Sequence, residues 1–225
     1  MQQLQKFYIE EEKTIFEIAE ILGISYQTVF ERLQFFGIPS NPKLKYRQDV
    51  LIPIQYSADI AEFFGIMLGD GSLSHFQVVI TLGTKEMSYA ESVVSLIESI
   101  FKVRPKIAIR KTKEKDVYFG SVAVTSWLQR KGLVFNKVKA QVGVPNWIFT
   151  KEIFMKRFLR GFFDTDGSVY KLRWGMQVSF CNRSMPLLNS ARNMLLYLGY
   201  SASRISGYNF YITKRTDVER FFGEI

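Results

Sequence analysis

One motif occurs twice in this chain, at corresponding positions of two similar segments. Residues 63–71 read FFGIMLGDG and residues 159–167 read LRGFFDTDG, so that Asp70 and Asp166 are 96 positions apart. The residues after each aspartate also match, with GSLSHFQVVITLGTKEM beside GSVYKLRWGMQVSFCNRSM. A repeat of this kind predicts two copies of one folding unit. Asp-Gly is a common turn pair, but its recurrence in a matched context favours a shared role for the two aspartates.

Each copy shows the same series of periodic segments. A helix ends at Asp-Gly, and a strand pair, a second helix, more strand and a shorter helix follow. The positions expected to face the core alternate with polar ones and are Phe76, Val78, Ile80 and Leu82, then Ile107 and Ile109, then Met176, Val178 and Phe180. The pattern predicts an α+β fold in which helices cover one face of each sheet and leave the other face polar and partly basic.

Small residues in each motif predict that the two motif helices pack closely together. Gly65 and Gly69 are four apart in the first helix, as are Gly161 and Thr165 in the second, which leaves a stripe that another backbone can approach. The packed helices would deliver both motif aspartates at their C-terminal ends, where the helix dipole is already negative. Two carboxylates in this setting favour hard divalent ions that also bind a phosphodiester.

The overall charge favours a polyanionic partner. The chain has 30 Lys and Arg against 21 Asp and Glu, a formal charge of +9 and a pI near 9.5. One cysteine and one histidine leave no disulfide framework, zinc finger or histidine–metal cluster to propose. Because the sequence lacks a basic and then apolar leader and a run of about 18 apolar residues, we expect a cytoplasmic protein that does not bind membranes.

Turn and cap residues predict a separate N-terminal module. Residues 13–38 carry apolar residues at helical spacing, then Gly23, then Ser25 as the N-cap of a second helix. Three prolines between residues 39 and 57 interrupt helical structure. We therefore divide the chain into a helix-turn-helix module at 1–45, a linker at 46–57, a first half at 58–138 and a second half at 139–225.

The paired motifs resemble those of the LAGLIDADG homing endonucleases over about residues 58–225. The resemblance implies a monomer with a pseudo-twofold, tandem αββαββα fold, whose two sheets straddle double-stranded DNA. It also implies that Asp70 and Asp166, with Gly69 and Thr165 beside them, hold Mg²⁺ or Mn²⁺ and cut both strands across the minor groove with short 3′ overhangs. The first copy has Leu68 where the second has Asp164, but the metal-binding acid of this family is the later one.

The same resemblance directs attention to basic residues near the metals. The segment FNKVKAQVGVP resembles the place where such enzymes carry a lysine close to the site, which favours Lys137, with Lys139 next to it. In the second half, YITK offers Lys214. An ordinary solvated or phosphate-contacting lysine is the alternative for each. The side chains expected to contact DNA from the sheets are Gln77, Lys106, Arg110, Lys171, Arg173 and Gln177.

Residues 17–38 resemble the helix-turn-helix of transcription regulators, with Ala19 and Gly23 in its small positions. The side chains that its recognition helix would expose to the major groove are Tyr26, Gln27, Thr28 and Arg32. A purely structural helical hairpin is the alternative. For the whole chain, two other functions stay open, a DNA-binding regulator that no longer cuts and an RNA maturase for a host intron. Retention of both aspartates argues against the regulator, whereas nothing in the sequence discriminates between the nuclease and the maturase.

Overall fold

A computed structural model describes residues 2–11, 13–38 and 50–225. The chain divides into two compact units, Met1–Gln48 and Asp49–Ile225. The predicted end of the first module and the first part of the predicted linker lie outside the described residues. The rest of that linker, residues 50–57, packs on the second unit, because the Leu51 amide donates to the Phe101 carbonyl at 2.8 Å and the Tyr56 ring stacks on Trp147 at 4.2 Å.

The first unit contains the predicted helix-turn-helix. Its elements are α1 (Gln2–Gln5), a π-helical turn (Lys6–Glu10), α2 (Ile15–Leu22) and α3 (Tyr26–Phe35). Helix α2 ends at Gly23, whose φ of 62° is left-handed and favours glycine. Helix α3 is capped by Ser25, whose hydroxyl accepts from the Thr28 amide. Buried Ile18, Val29 and Leu33 join the helices in one small core.

The second unit contains the repeat as two sheets with their helices. The first half consists of α4 (Ala58–Gly69), β1 (Gly71–Leu73), β2 (Gln77–Leu82), α5 (Met87–Phe101), β3 (Lys106–Ile109), β4 (Lys115–Gly120) and α6 (Val122–Arg130). The second half consists of α7 (Glu152–Asp166), β5 (Gly167–Leu172), β6 (Gly175–Cys181), α8 (Met185–Tyr197), β7 (Asn209–Ile212) and α9 (Arg215–Glu224). A 3-10 helix, Asn146–Thr150, precedes α7.

Both sheets are antiparallel and follow one topology. The first has the order β1-β2-β4-β3, and the second has the order β5-β6-β7. An isolated bridge between Ala202 and Ile212 stands where β3 stands in the first sheet. The predicted α+β architecture of two αββαββα halves is therefore confirmed, and the second half has reduced one strand to a single bridge.

The predicted alternation is correct over the centres of the strands and wrong at some of their ends. Val78, Ile80 and Leu82 are buried, as are Val178 and Phe180. Phe76 is 63% exposed because β2 begins only at Gln77. Ile109 and Met176 are 69% and 47% exposed, since each lies at the end of its strand. A period of two assigns a residue to a face, but helices cover only the middle of that face.

Helices α4 and α7 pack through their glycines, as the motif predicts. A Cβ atom on Gly65 would overlap the Phe158 carbonyl oxygen, and one on Gly161 would overlap the carbonyl oxygen of Glu62. Both halves contribute to one continuous core that includes this helix pair. Within the described residues, no helix combines the length and the apolar character needed to cross a membrane.

Candidate metal centre and nucleic-acid interface

The two motif aspartates lie at equivalent helix ends. Asp70 is the C-cap of α4, with its amide donating to the Ile66 carbonyl at 3.0 Å, and Asp166 is the last residue of α7. A Cβ atom on Gly69 would lie 3.3 Å from Asp166 Oδ2, so the Asp166 carboxylate lies beside the residue that precedes Asp70. The glycine contacts of the helices therefore bring the two acids together.

Burial disfavours the ionised form of both carboxylates, and the charge of Asp166 adds to this effect at Asp70. Burial and then the charge of Asp166 raise the pKa of Asp70 to about 6, although Lys137 acts in the opposite direction. Burial also raises the pKa of Asp166, against the hydrogen bond from Asn182 and the charge of Lys137. A pair of carboxylates whose charge is poorly compensated is suited to a cation.

Lys137 lies at the carboxylates, where the sequence predicted it. Its ammonium donates to the carbonyl oxygens of Met67, at 3.1 Å, and of Gly69. Burial lowers the pKa of Lys137 to about 8, while Asp166 and Asp70 oppose that shift. Lys137 and Lys139 both line a cavity of about 620 Å³ between α4, β1 and the loop after α6.

Lys214 lies two positions after the last residue of β7. It is exposed at the N-cap of α9, where its carbonyl accepts from the Asp217 amide at 2.9 Å. The lysine that lowers the pKa of both aspartates is Lys137. Within the described chain, Lys137 is thus the predicted lysine whose charge acts on both aspartates, whereas the charge of Lys214 acts on Asp217.

Asn182 belongs to the site and was not predicted. Its Nδ2 donates to Asp166 Oδ2 at 2.6 Å, and its Oδ1 accepts from the Ser184 amide at 2.7 Å. On the Asp70 side, Glu86 adds negative charge instead of a donor. The two halves therefore differ chemically around their aspartates. A polar residue directly after an alternating strand was the available signal, but sequence does not show which carboxylate it reaches.

The donor set fits a hard divalent ion. Carboxylate oxygens of Asp70 and Asp166 and the carbonyl oxygen of Gly69 are ligands that Mg²⁺ and Mn²⁺ accept. The Thr165 hydroxyl donates within α7, to the carbonyls of Gly161 and Phe162 at 3.1 Å each. No cluster of three or more His, Cys, Asp or Glu occurs in the described residues.

The predicted DNA contacts of the first sheet fall on its outer face. Gln77 and Lys106 are both accessible there, since Gln77 pairs with Gly120 and Lys106 with Tyr118 on the polar side. Arg110 also points outward, but its Nε donates to Asp116 Oδ2 at 2.7 Å. Arg110 is therefore a paired cation, and less of its charge is available to phosphates than the sequence predicted.

The second sheet requires one correction. Gln177 pairs with Tyr170 on the outer face, as predicted. Lys171 pairs with Met176, two positions from the pair of Val169 and buried Val178, so it lies on the core-side face of the strands. It is exposed because the hairpin extends past the core. Arg173 lies in the turn after β5, with its guanidinium 4.8 Å from the ring centre of Trp174.

The predicted recognition helix presents most of its predicted side chains. Tyr26, Gln27 and Arg32 are exposed, and Thr28 is half-buried with its hydroxyl 2.8 Å from the Ser25 hydroxyl. Tyr26 also contacts the Phe16 ring at 5.2 Å. These residues are accessible on the first unit, and their contact with DNA stays a prediction.

Comparison with known proteins supports the interpretation of the repeat. The family described as "LAGLIDADG-like domain" matches residues 154–225. The replication factor C small subunit of Methanocaldococcus jannaschii is 28% identical over 117 residues, which are 52% of this chain and 6% of that protein. The chain thus spans only a small part of that relative.

Solved structures share the fold at low sequence identity. The N-terminal LAGLIDADG domain of DUF199/WhiA superposes with a TM-score of 0.55 at 18% identity, over 77% of this chain and 86% of that one. I-DmoI in complex with DNA and Ca superposes with a TM-score of 0.54 at 17% identity, over 74% of this chain and 88% of that one. I-DmoI in complex with DNA and Mn superposes with a TM-score of 0.52 at 18% identity, over 75% of this chain and 96% of that one. The second half of the repeat therefore matches the LAGLIDADG-like domain family, and the chain shares the fold of the LAGLIDADG domain of DUF199/WhiA and of I-DmoI.

Proposed function

We propose that this protein is a metal-dependent endonuclease that makes double-strand breaks in duplex DNA. The observation that carries the proposal is the meeting of Asp70, Asp166 and Lys137 at one end of the α4–α7 pair. A structural role alone does not account for two neighbouring carboxylates with raised pKa values, Asp70 exposed and Asp166 half-buried, held beside an amine whose pKa is lowered. The I-DmoI complexes with DNA and metal are consistent with this chemistry.

Each residue of the site would have a different role in hydrolysis. Asp70 and Asp166 would hold Mg²⁺ or Mn²⁺, which supplies Lewis acidity and lowers the pKa of bound water. Asn182 fixes the orientation of the Asp166 carboxylate through its short hydrogen bond. Lys137, with a pKa near 8, can stabilise charge on the phosphate or hold a proton at neutral pH.

The outer faces of the two sheets would bind the DNA backbone and base edges. Gln77 and Gln177 occupy corresponding strands on these faces and can read bases or hold water there. Exposed Lys106 and Arg173 can neutralise phosphates. One chain then serves both strands as a monomer, because its repeat supplies both halves of the interface.

Conversion of each aspartate to asparagine tests this proposal. Asp70→Asn and Asp166→Asn remove the negative charge and keep the shape, so each should abolish double-strand cutting of a plasmid library of candidate sites with Mg²⁺. Binding to DNA in a mobility-shift assay should persist, because these groups are not expected to read bases. A single variant that still cuts both strands at the wild-type rate would contradict the two-carboxylate mechanism.

A second candidate is a DNA-binding regulator that keeps the fold without cutting. The observation in its favour is that the Lys137 ammonium bonds to the Gly69 carbonyl, an oxygen that a metal would need. The two candidates differ in metal affinity. Calorimetric titration with Mg²⁺ should give binding that Asp70→Asn removes if the protein is a nuclease, and no binding if the lysine replaces the metal.

A further inference from the structure

The β5–β6 hairpin ends in an exposed tryptophan. Strand β5 finishes at Leu172 and β6 starts at Gly175, so Arg173 and Trp174 form the turn between them. Trp174 is 86% exposed, whereas Trp127 is 4% exposed and Trp147 is half-buried against Tyr56. The Trp174 ring contacts the Arg173 guanidinium, whose central carbon lies 4.8 Å from the ring centre. An indole at a hairpin tip leaves a large apolar face available to a partner.

Further apolar side chains lead to this tip along the outer face of the second sheet. The register places Tyr170 opposite Gln177 and Leu172 opposite Gly175. Tyr170 and Leu172 are 51% and 45% exposed. We call Tyr170, Leu172 and Trp174 the hairpin strip. It continues the face on which Gln177 lies, so a ligand of that face extends onto the strip.

The charge around the hairpin strip selects for an anionic partner. From Gly167 to Thr216 the chain has 50 residues with seven Lys or Arg and no Asp or Glu. The first sheet differs, because Asp116 lies on its outer face and pairs with Arg110. An indole with a guanidinium on one side offers its other side to a nucleobase, and the guanidinium can then pair with a phosphate.

We propose that the hairpin strip is a wedge that contacts the bases of duplex DNA at one end of the interface, with Trp174 stacked on a base. The proposal rests on the proposed function only in that the second sheet binds DNA. A wedge of this kind must separate stacked bases, so it favours steps that unstack easily, such as TA and CA. The strip would thereby add sequence preference at a position that the aspartates do not touch.

Intrinsic fluorescence tests the contact directly, with full-length protein and a mixed-sequence duplex at low salt. Trp174 dominates the solvent-exposed emission, so binding should quench it and protect it from acrylamide. Trp174→Phe should keep the emission of Trp127 and Trp147 and lose the change that DNA induces. A DNA-induced change that is the same in Trp174→Phe and wild type would overturn the proposal.

Affinity supplies a second, independent measurement. Trp174→Ala should weaken binding to the same duplex about 5- to 100-fold, the usual effect of losing one stacked aromatic, and Trp174→Phe should recover most of it. Tyr197→Ala removes an aromatic that is 69% exposed on α8 and should leave affinity unchanged. Normal affinity of Trp174→Ala would refute the wedge and leave the nuclease proposal intact, whereas failure of the wild type to bind any duplex would refute both.

Discussion

At the scale of single residues, the Asp70 carboxylate lies where its protonated form is favoured. Burial and the nearby Asp166 raise its pKa to about 6 from 3.8, so ionisation costs the folded protein more than the unfolded chain. This cost is absent below about pH 4, grows up to about pH 6 and stays constant above it. Such a cost is expected of a site that is built to receive a cation.

Asp70→Asn should therefore stabilise the metal-free protein at neutral pH. We expect a gain of about 1 kcal/mol in the free energy of unfolding, less than the full pKa shift implies because the carboxylate is partly exposed to water. The gain should vanish as the pH falls toward 4, where wild-type Asp70 is itself neutral. Thermal denaturation across this pH range measures it, and an equal or lower melting temperature for the variant at pH 7 would contradict the explanation.

Asn182→Ala should impair the Asp166 side of the site. The variant removes the donor that lies 2.6 Å from Asp166 Oδ2, and loss of a partner that orients a metal ligand typically costs about 10- to 100-fold in metal affinity or activity. Nicking of one strand should accumulate as a result, which agarose gels of supercoiled plasmid detect. Asn189→Ala, a matched change of an exposed asparagine on α8, is the control. Equal slowing of both strands would argue against a local effect.

At the scale of elements, the helix pair tolerates no added atom at its glycines. Gly65→Ala and Gly161→Ala would each place a methyl group on a backbone carbonyl of the facing helix, and a backbone at this contact cannot yield as a side chain can. We expect each variant to lose at least about 1–3 kcal/mol in urea unfolding. Gly223→Ala in α9, where nothing lies within 4 Å, should be neutral or stabilising. Similar results for all three variants would refute the close contact.

The sequence predicted the two motif helices and their contact better than it predicted the faces of strand-end residues and the contacts between segments. Repetition of the motif was enough to place both aspartates and the helix contact, because glycine spacing and Asp-Gly ends are local properties. Lys171 was assigned to the wrong face, since its register depends on where the hairpin turns. The ion pair of Arg110 with Asp116 and the bond of Asn182 to Asp166 join different segments. Contacts of this kind are set by tertiary packing and leave no periodic signal.

At the scale of the whole molecule, positive charge is concentrated in the second unit. Residues 1–48 contain six Lys or Arg and six Asp or Glu, so the formal charge of +9 belongs to residues 49–225. Removal of residues 1–48 should therefore leave most of the salt dependence of DNA binding in place, at roughly 0.9 log units per neutralised phosphate. Fluorescence anisotropy at several salt concentrations measures this slope, and loss of most of the slope in the truncated protein would show that the main phosphate contacts lie in the first unit.

The helix-turn-helix should contribute base contacts on one flank. Footprints of the full chain and of residues 49–225 should differ on one side only, while the cut positions stay fixed, because exposed Gln27 and Arg32 would read the adjoining major groove. Gln27→Ala with Arg32→Ala should relax sequence preference in that flank. Coinciding footprints would show that the first unit serves another purpose.

The glycine contact between α4 and α7 fixes the distance between the two halves at the carboxylates. Backbone touches backbone there, so the gap between the two carboxylates cannot widen without separating the helices and opening the core that the halves share. DNA sequences differ in groove width and in flexibility, but the protein cannot change the distance between its two carboxylates to match them. The stagger between the two cuts should therefore be the same on every sequence that the protein cleaves, and mapping both ends of several cleaved sites would reveal any variation.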